Sequence, residues 1–371
     1  MKKKKILYTI PNFHTAGSGI ALMKLITNLD KTKFEPHIVC VHKKGRYFSD
    51  VVENSGIPVH IFPYTGDIRP YHKAILRILK FAFFIFKGKF DIVFSYHYSA
   101  DYVEAIAARL AGAKFFYVKK NMSWFGPSHR AWRLKSFFAN KIFVQNMDMI
   151  KIFFKDSSKA ELVSIGVDTE EYFPHPADET LKNEFRINDD EKVILCVANI
   201  APKKGIDVLI NAFEKVIHED IKARLLIVGD DQDAKELVGN LKRMIKEKGL
   251  SGKVIFTGKR FDIKRFYSIA DIFVLASTGN EGAPISIQEA MASGVIVITT
   301  NTPGNRDQLA TLPGQLAEPK DFDDLANKII KYMSLSEAEK KKIIDKQLDV
   351  INESYSLIAE VKKHESIYIE S

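Results

Sequence analysis

The stretch that decides the fold reads Glu281-Gly-Ala-Pro-Ile-Ser-Ile-Gln-Glu289 and continues as Ala-Met-Ala-Ser-Gly294. Its two glutamates stand eight positions apart, with a Gly-x-Pro turn after the first and a helix-forming run at the second. Apolar segments at 272–276 and 295–299 flank it. The pattern predicts a strand, a tight loop and a helix N-terminus in a parallel α/β sheet.

A helix N-terminus carries backbone N–H groups without intrahelical partners and the positive end of the helix dipole, and both bind phosphate. A carboxylate ahead of it can hold sugar hydroxyls, and one a turn or two into the helix can hold a ribose. The arrangement therefore suits a nucleotide sugar lying across a helix end. For the Glu-x7-Glu spacing alone, two solvated glutamates would be the better interpretation, but the full string is far more specific.

The full string resembles the signature of the retaining glycosyltransferases of family 4, which have the GT-B fold. The resemblance implies an α/β protein of two Rossmann-like domains whose parallel sheets face an inter-domain cleft. It implies that Glu281 positions the donor sugar and that Glu289 holds the ribose. The backbone between them would cradle the donor diphosphate, through Gly282, Ala283, Pro284, Ile285 and Ser286.

A second motif, Val197-Ala-Asn-Ile-Ala-Pro-Lys-Lys-Gly205, follows an apolar strand. A lysine at the carboxyl end of a strand can neutralise a leaving diphosphate, although Lys-Lys-Gly alone is usually a solvated loop. Beside the glutamate motif it resembles the family's Gly-Arg-x4-Lys-Gly element, which implies that Lys204 contacts the diphosphate. The family arginine falls on Asn199, so one cation is lost, and Lys203 and Arg260 are the candidates to replace it.

Two further loops are candidates for donor contacts. Before a helix predicted at 20–29, Ala16-Gly17-Ser18-Gly19 can bring backbone close to a phosphate, with a plain βα turn as the alternative. Gly17 is the best match to the family's Gly-rich loop. The segment Gly258-Lys-Arg-Phe-Asp-Ile263 corresponds to the loop that frames the nucleobase in the family. Arg260 is there the candidate to stack on or hydrogen-bond the base, with a surface arginine as the alternative.

The first half lacks the histidine that the family often places near the reacting sugar. Asn121 takes roughly that position and is a candidate catalytic residue. His97, after the preceding strand, and His14, in the first loop, are the other candidates, with a structural or exposed histidine as the alternative. The resemblance implies attack on an oxocarbenium-like species from the face that the leaving group departs, with much of the catalysis supplied by phosphate stabilisation.

The run Asp230-Asp-Gln-Asp233 contains the Asp-x-Asp pattern of metal–diphosphate sites in a different transferase fold. With Lys204 and two helix N-termini available, a divalent ion is not required, so a solvated acidic loop is the preferred interpretation. We therefore expect no metal and no required cofactor. The expected donor substrate is a nucleotide diphosphate sugar, first of all a UDP-sugar.

The length of 371 residues exceeds one typical core and predicts two domains. Alternating strands and helices predict two domains, over 1–175 and 176–349. The resemblance implies that the first binds the acceptor and the second the nucleotide sugar, with a last helix at about 350–371 packing back on the first. Strands are predicted at 4–10, 36–41, 59–62, 91–94, 114–118 and 141–144, and then at 192–198, 223–228, 253–257, 272–276 and 295–299.

The two cysteines, Cys40 and Cys196, belong to apolar strand-like runs and predict buried, reduced thiols. The Lys2–Lys5 run is followed by too short an apolar stretch for a secretory signal, and no run is long enough to span a bilayer. The expected location is the cytoplasm, with the inner face of the cytoplasmic membrane as the expected place of contact.

Charge is unevenly divided along the chain. Residues 1–175 carry 27 Lys+Arg and 14 Asp+Glu, a balance of +13, while the rest carry 28 and 32, a balance of −4. A basic first half indicates an anionic partner, and no nucleic-acid motif is visible. Residues 73–87 combine lysines with a wide apolar arc, so the segment predicts a helix lying on the inner-membrane surface, with a buried crossover helix as the alternative.

The sequence therefore predicts an enzyme that moves a sugar, with retention of configuration, from a nucleotide diphosphate sugar to a hydroxyl of a lipid-linked or polysaccharide acceptor. Two alternatives stay open. One is a nucleotide-sugar 2-epimerase of similar fold, against which the glutamate string argues. The other is a catalytically weak partner subunit that binds the sugar nucleotide, which Asn199 and the missing histidine favour.

Overall fold

The computed structural model describes residues 2–13, 16–44, 47–66, 69, 71–97, 100–120, 122–123, 129–230 and 232–371. The chain divides into two compact units. The first takes in Met1–Ser164 and Glu360–Ser371, and the second takes in Ile165–Ala359.

The first unit is built on a parallel sheet with the strand order β3-β2-β1-β4-β5-β6-β7. Its strands are β1 Lys4–Thr9, β2 Phe34–Cys40, β3 Val59–Ile61, β4 Ile92–Ser95, β5 Lys114–Lys119, β6 Lys141–Val144 and β7 Ala160–Leu162. Its helices are α1 Ala16–Thr27, α2 Tyr71–Gly88, α3 Val103–Leu110, α4 His129–Phe138 and α5 Met147–Phe154.

The second unit is built on a parallel sheet with the strand order β10-β9-β8-β11-β12-β13. Its strands are β8 Lys192–Val197, β9 Ala223–Val228, β10 Val254–Gly258, β11 Ile272–Leu275, β12 Ile296–Thr300 and β13 Leu316–Ala317. Its helices are α6 Glu179–Glu184, α7 Ile206–His218, α8 Lys235–Glu247, α9 Ile263–Ser268, α10 Ile285–Ala292, α11 Asn305–Gln308, α12 Phe322–Met333 and α13 Glu337–Val350.

The central strands are buried along their whole length and mostly apolar, because both faces of each sheet are covered. Every residue of β4, β11 and β12 is buried. Such continuous apolar strands are typical of parallel sheets with helices on both faces. Cys40 in β2 and Cys196 in β8 are buried free thiols. Burial raises the pKa of Cys40 to about 11 and that of Cys196 to about 12. The predicted α/β class with two parallel sheets is confirmed.

The structure differs from the sequence prediction in a glycine-rich segment and in two very short strands. The predicted loop at 16–19 is the first turn of α1, which begins at Ala16 rather than at residue 20. Gly19 fits there because an added Cβ would stand 2.8 Å from the Phe13 ring. The sequence does not predict β7 and β13, which have three and two residues, because neither has an apolar run long enough to stand out.

Each sheet has one point where the strand order reverses. In the first unit it lies between β1 and β4, and in the second between β8 and β11. Parallel α/β sheets bind ligands outside the carboxyl ends of their strands, beside such a switch point. The loops that follow these four strands are therefore where functional residues are expected.

Helix α14, Leu357–Glu370, belongs to the first unit from Glu360 onward. Its Tyr368 packs edge-on against Phe94 and stacks on Phe116, with ring centroids 6.2 Å apart in both pairs. The Tyr368 hydroxyl lies 3.0 Å from Tyr8 Oη and 2.8 Å from His364 Nδ1. Aromatic packing and buried hydrogen bonds together hold this part of α14 in the first unit.

Folding should become less favourable in acid through His364. Burial lowers the pKa of His364 to about 3, whereas an unfolded histidine has a pKa of about 6.5. Between these values the unfolded chain takes up a proton that the folded protein does not, so stability is lost as the pH falls. We expect a loss of about 2–3 kcal/mol between about pH 6.5 and pH 4.5, measured by urea denaturation.

The variant His364→Gln should lose this part of the acid dependence, because glutamine does not titrate. The exposed His129 on α4 supplies the matched control, and His129→Gln should keep the wild-type pH profile. Equal pH profiles for wild type and His364→Gln would contradict the expectation.

Candidate functional site

The second unit brings its two sequence motifs together at the switch point of its sheet. The loop 198–205 follows β8 and the loop 276–284 follows β11, and these strands are neighbours. The backbone N–H of Thr278 donates to the carbonyl oxygen of Lys203 at 2.8 Å, which joins the two loops. The lysine motif and the glutamate motif therefore meet at one point of the fold.

Gly205 permits this close approach. It has a φ of 60°, and a Cβ there would stand 2.0 Å from the carbonyl oxygen of Ala276. Only glycine adopts such a conformation without strain and leaves this space empty. A short 3-10 turn, Pro202–Lys204, ends at this glycine, where α7 begins. The turn places the Lys204 side chain beside the loop that follows β11.

The carboxylate of Glu281 is the centre of the site. Glu281 is only 7% exposed, and its Oε1 lies 2.9 Å from Lys204 Nζ and accepts a hydrogen bond from Ser277 Oγ at 3.2 Å. Lys203 Nζ lies 3.5 Å from Oε2. The Lys204 side chain is 16% exposed and that of Lys203 is 55% exposed. Two ammonium groups around one carboxylate leave a positive excess that can attract an anion.

The start of α10 follows directly in the chain. Its first residue, Ile285, is preceded by Pro284, and among the described residues no side chain caps this helix start. The first-turn N–H groups and the helix dipole therefore favour an anion. Gly304 packs behind the segment, since a Cβ there would stand 2.1 Å from the carbonyl oxygen of Gly282. The predicted diphosphate cradle consists of Gly282, Ala283, Pro284, Ile285 and Ser286.

Glu289 lies one turn into α10 and is held by a tyrosine hydroxyl. Tyr267 Oη donates to Glu289 Oε2 at 2.8 Å and lies 3.3 Å from the carbonyl oxygen of Ser286. Tyr172 packs edge-on against the Tyr267 ring, with centroids 6.0 Å apart. Burial and then the Glu289 carboxylate hold the pKa of both phenols above the usual value, so both stay protonated. The carboxylate is thus fixed in orientation.

Arg260, one of the two candidates to replace the family arginine, is ion-paired within the second unit. Its guanidinium donates to Asp262 Oδ1 at 2.9 Å and to Glu184 Oε1 at 2.7 Å, and it packs over the Phe266 ring. Its charge is therefore balanced by two carboxylates. Asn199 is exposed in the loop that follows β8. Of the two candidates for the second cation, Lys203 is the one that the structure brings to Glu281.

Sequence reasoning missed the residues that support the two glutamates. Ser277, Tyr172 and Tyr267 belong to no motif, and only their contacts reveal them. It also missed Phe261, which is 91% exposed in the loop after β10. The signal was an aromatic residue beside Arg260 in a loop at the carboxyl edge of the sheet, which is where a flat base could stack.

The candidates of the first unit are located separately. Gly17 lies in the first turn of α1, with open space where a Cβ would stand. His97 is half-buried, and its Nδ1 lies 3.6 Å from Glu104 Oε1. Asn121 and His14 lie outside the described residues. The two ranges nearest Asn121 that are described are 100–120 and 122–123.

In the acidic loop after β9, Asp230 contacts neighbouring residues of the protein. Asp230 accepts the backbone N–H of Gln232 and pairs with Lys259 Nζ at 3.2 Å, and these contacts lower its pKa. Asp231 lies outside the described residues. Within the described part of the chain, no three His, Cys, Asp or Glu side chains are grouped as a metal site would need.

Residues 177–347 match the family described as glycosyl transferases group 1. A lipopolysaccharide 1,2-N-acetylglucosaminetransferase of Salmonella typhimurium is 29% identical over 217 residues, 56% of either chain. A UDP-Gal:alpha-D-GlcNAc-diphosphoundecaprenol alpha-1,3-galactosyltransferase of Escherichia coli is 26% identical over 310 residues, 76% of either chain. The crystal structure of Anabaena HepE in complex with UDP and glucose matches with a TM-score of 0.78 and 20% identity, over 99% of this chain and 100% of that chain.

The mixed α/β fold with its two parallel sheets matches GT-B glycosyltransferase structures. The chain carries a glycosyl transferases group 1 domain over residues 177–347, and this is the segment that holds Lys204, Glu281 and Glu289. Apart from the Escherichia coli relative, the matches cover between 27% and 56% of the length of these curated relatives.

Removing Lys204 should destabilise the folded protein. In the variant Lys204→Ala, the buried Glu281 carboxylate keeps Lys203, whose ammonium group is farther away and more exposed. The free energy of unfolding in urea should therefore fall by about 1–3 kcal/mol. Lys203→Ala is the matched control and should change it by less than about 0.5 kcal/mol, because an exposed ion pair contributes little.

The double variant Lys204→Ala with Glu281→Gln should recover part of the loss, since the amide has no charge left to compensate. Equal losses of unfolding free energy for Lys204→Ala and Lys203→Ala would show that the buried Glu281–Lys204 pair stabilises the fold no more than the exposed pair does.

Proposed function

We propose that the protein is a retaining glycosyltransferase that moves a sugar from a UDP-sugar to a hydroxyl group of a lipid-linked or polysaccharide acceptor in cell-surface glycan synthesis. The observation that carries the proposal is the buried Glu281–Lys204 pair beside the start of α10. A helix start, a lysine and a carboxylate together suit a ligand that bears both phosphates and hydroxyls.

Each donor group has a suitable partner in the second unit. Lys204 and Lys203 neutralise the diphosphate together with the first-turn N–H groups of α10. Glu281 accepts hydrogen bonds from hydroxyls of the donor sugar, and Glu289, already oriented by Tyr267, accepts those of the ribose. Two lysines and a helix dipole supply the charge that a divalent ion would otherwise bring, so the proposal includes no metal.

The chemistry asked of these residues is stabilisation of a leaving group. As the bond between the anomeric carbon and the diphosphate breaks, negative charge grows on the phosphate oxygens. Preorganised ammonium and N–H groups lower the energy of that charge without reorganising. Attack from the face that the diphosphate leaves then retains the anomeric configuration.

Two comparisons support UDP as the nucleotide. The crystal structure of HepE holds UDP and glucose on the same fold, and the name of the Escherichia coli relative specifies UDP-Gal. In this chain, the exposed Phe261 at the edge of the sheet offers a flat surface for a base.

The second candidate function is a partner subunit that binds the sugar nucleotide with little or no turnover. The exposed Asn199, where the family has arginine, is the observation that favours it. Release of UDP from a UDP-sugar, abolished in Lys204→Ala, would support the enzyme. Nucleotide binding without turnover on any donor would support the partner subunit.

Saturating UDP should raise the thermal unfolding midpoint of the wild-type protein more than GDP or ADP does. A ligand at a hundred times its dissociation constant stabilises by roughly 2.7 kcal/mol, which a thermal scan detects. Glu289→Ala should lose most of this gain, because the ribose loses its acceptor. Glu353→Ala, an exposed glutamate of the same unit, is the control and should keep it. If no nucleotide shifts the midpoint, the donor site proposed here is wrong.

For the binding of a lipid-linked acceptor, we propose that helix α2 lies on an anionic membrane surface. Six large apolar side chains of this helix are more than half exposed: Tyr71, Ile75, Leu76, Leu79, Phe83 and Phe86. The opposite side is buried through Ala74, Phe81, Ala82 and Ile85. None of the described helices is long and apolar enough to cross a membrane. An exposed apolar stripe on a helix that also packs on its own sheet suits an interfacial position.

The charges of α2 complement anionic lipid. Lys73, Lys80 and Lys87 are exposed and seven residues apart, so they share one side of the helix, next to the apolar stripe. The segment 71–88 contains no aspartate or glutamate. Lysines at headgroup level beside buried apolar side chains are the usual composition of a helix that lies in a membrane interface.

The wild-type protein should float with vesicles of phosphatidylcholine and phosphatidylglycerol and much less with phosphatidylcholine alone. Replacing the three lysines by glutamine should lower the partition coefficient roughly 100-fold, at about 1 kcal/mol for each lysine. The pair Phe83→Ser and Phe86→Ser should abolish flotation even at low salt.

The control pair is Ile358→Ser with Ile369→Ser, which removes apolar side chains of similar exposure, 58% and 55%, from α14. These changes should leave flotation intact. Equal losses in both pairs, or indifference to phosphatidylglycerol, would refute the α2 contact.

A further inference from the structure

A buried polar network lies in the second unit, in the segment that joins β12 to α11. The last two residues of β12 are Thr299 and Thr300, and Asn305 is the first residue of α11. None of these three side chains has any solvent exposure. Fully buried polar side chains are uncommon, and three at one place in the core of a parallel sheet form a distinct feature of this unit.

The network contacts the strand and the loop that lead to Glu281. Thr299 Oγ1 donates to the carbonyl oxygen of Leu275, the last residue of β11, at 2.6 Å. Thr300 Oγ1 donates to the carbonyl oxygen of Ser277 at 2.6 Å. The Ser277 hydroxyl in turn donates to Glu281 Oε1 at 3.2 Å. Two hydrogen bonds through a single residue therefore connect Thr300 with the carboxylate.

Asn305 joins the two threonines. Its Nδ2 donates to Thr299 Oγ1 at 2.8 Å and lies 3.5 Å from Thr300 Oγ1. A threonine hydroxyl has one hydrogen, so a hydroxyl that accepts from the amide directs its own hydrogen elsewhere. The amide thereby directs the two hydroxyls toward the carbonyl oxygens of Leu275 and Ser277.

The same segment also contacts the backbone of the loop that follows β11. Gly304 has a φ of 84°, and a Cβ there would stand 2.1 Å from the carbonyl oxygen of Gly282 and 3.0 Å from that of Glu281. Close packing fixes where the loop lies. Hydrogen bonds are directional, so they can also fix which way the Glu281 carboxylate faces.

An apolar core would be the more stable way to fill this space. Among the described residues, Asn305 Oδ1 and Thr302 Oγ1 are buried and have no hydrogen-bond partner. A buried polar atom without a partner costs more free energy than an apolar group of the same shape. Such a cost is typical of places where function, rather than folding, selects the residues.

We propose that Thr300 and Asn305 are positioning residues for the Glu281 carboxylate, which receives the donor sugar. The inference rests on the glycosyltransferase function proposed above. Both residues act through Ser277, which contacts the same carboxylate oxygen, Oε1, as Lys204 does. Fixing this oxygen sets the orientation of the whole carboxylate. A carboxylate held in one orientation binds a sugar hydroxyl without first having to lose its rotational freedom.

The test compares the affinity for UDP with the turnover of UDP-glucose, UDP-galactose and UDP-N-acetylglucosamine, with water as the acceptor and UDP release as the signal. Thr300→Val keeps the shape of the side chain and removes its hydroxyl. It should lower kcat by about 10-fold to 100-fold, as a small misplacement in an active site does. The dissociation constant for UDP, measured by calorimetry, should change little, because UDP carries no sugar for Glu281 to hold.

Two further variants separate positioning from a merely structural role. Thr300→Ser returns the hydroxyl and should restore the turnover that Thr300→Val loses. Asn305→Leu should lower kcat as Thr300→Val does, with little change in the thermal unfolding midpoint. The reason is that leucine removes a buried oxygen without a partner together with the hydrogen bonds of the amide.

The matched controls remove hydroxyls of the same kind elsewhere in the chain. Ser268 Oγ donates to the carbonyl oxygen of Arg265 at 2.8 Å. Thr27 Oγ1 donates to the carbonyl oxygen of Met23 at 2.7 Å. Ser268→Ala and Thr27→Val should leave the release of UDP unchanged.

The affinity for UDP separates this inference from the proposed function. If the wild type does not bind UDP, or binds it and turns over no donor, the proposed function is wrong and the inference is wrong with it. If the wild type is active, three results overturn the inference alone. They are an unchanged kcat in Thr300→Val and Asn305→Leu, a lost kcat that Thr300→Ser does not restore, and a loss of UDP affinity as large as the loss of kcat.

Discussion

The close approach of the loops after β8 and β11 is the constraint on which the rest of the site depends. At Gly205 a Cβ would stand 2.0 Å from the Ala276 carbonyl oxygen, and at Gly304 it would stand 2.1 Å from that of Gly282. Both glycines also have positive φ, so any side chain there would be strained as well as crowded. Without them the loops would move apart, and Lys204 would no longer reach the carboxylate.

Once the loops are joined, the charge of the buried Glu281 carboxylate determines where the lysine ammonium groups lie. Burying the Glu281 carboxylate costs solvation energy, which Lys204 and Ser277 offset through short polar contacts. The carboxylate in turn holds the ammonium groups in place before any anion arrives. Cations that are fixed in advance stabilise developing negative charge without having to reorganise during the reaction.

The sequence predicts what local patterns determine. Apolar strands alternating with helices are enough for two parallel sheets, and fixed spacing is enough to select Lys204 and Glu281. Partnerships between distant segments have no such signal. In the sequence Arg260 has no evident partner, but in the fold it pairs with Glu184, which is 76 residues away in the chain. Tyr267, which hydrogen-bonds Glu289, likewise belongs to another helix. The residues that support the site were therefore beyond prediction, because only the assembled core makes them neighbours.

The two switch points carry related groups with opposite burial. In the second unit the carboxylate of Glu281 is buried, and the ammonium groups beside it are its more exposed partners, which suits the binding of an anion. In the first unit Glu104 and Lys135 are both fully buried, whereas the side chain of His97, whose Nδ1 lies 3.6 Å from Glu104 Oε1, is 18% exposed. An imidazole backed by a buried carboxylate is suited to exchanging a proton rather than to holding a phosphate. Burial thus decides in each unit which basic group stays accessible: the ammonium groups beside Glu281 in the second, and the imidazole of His97 in the first.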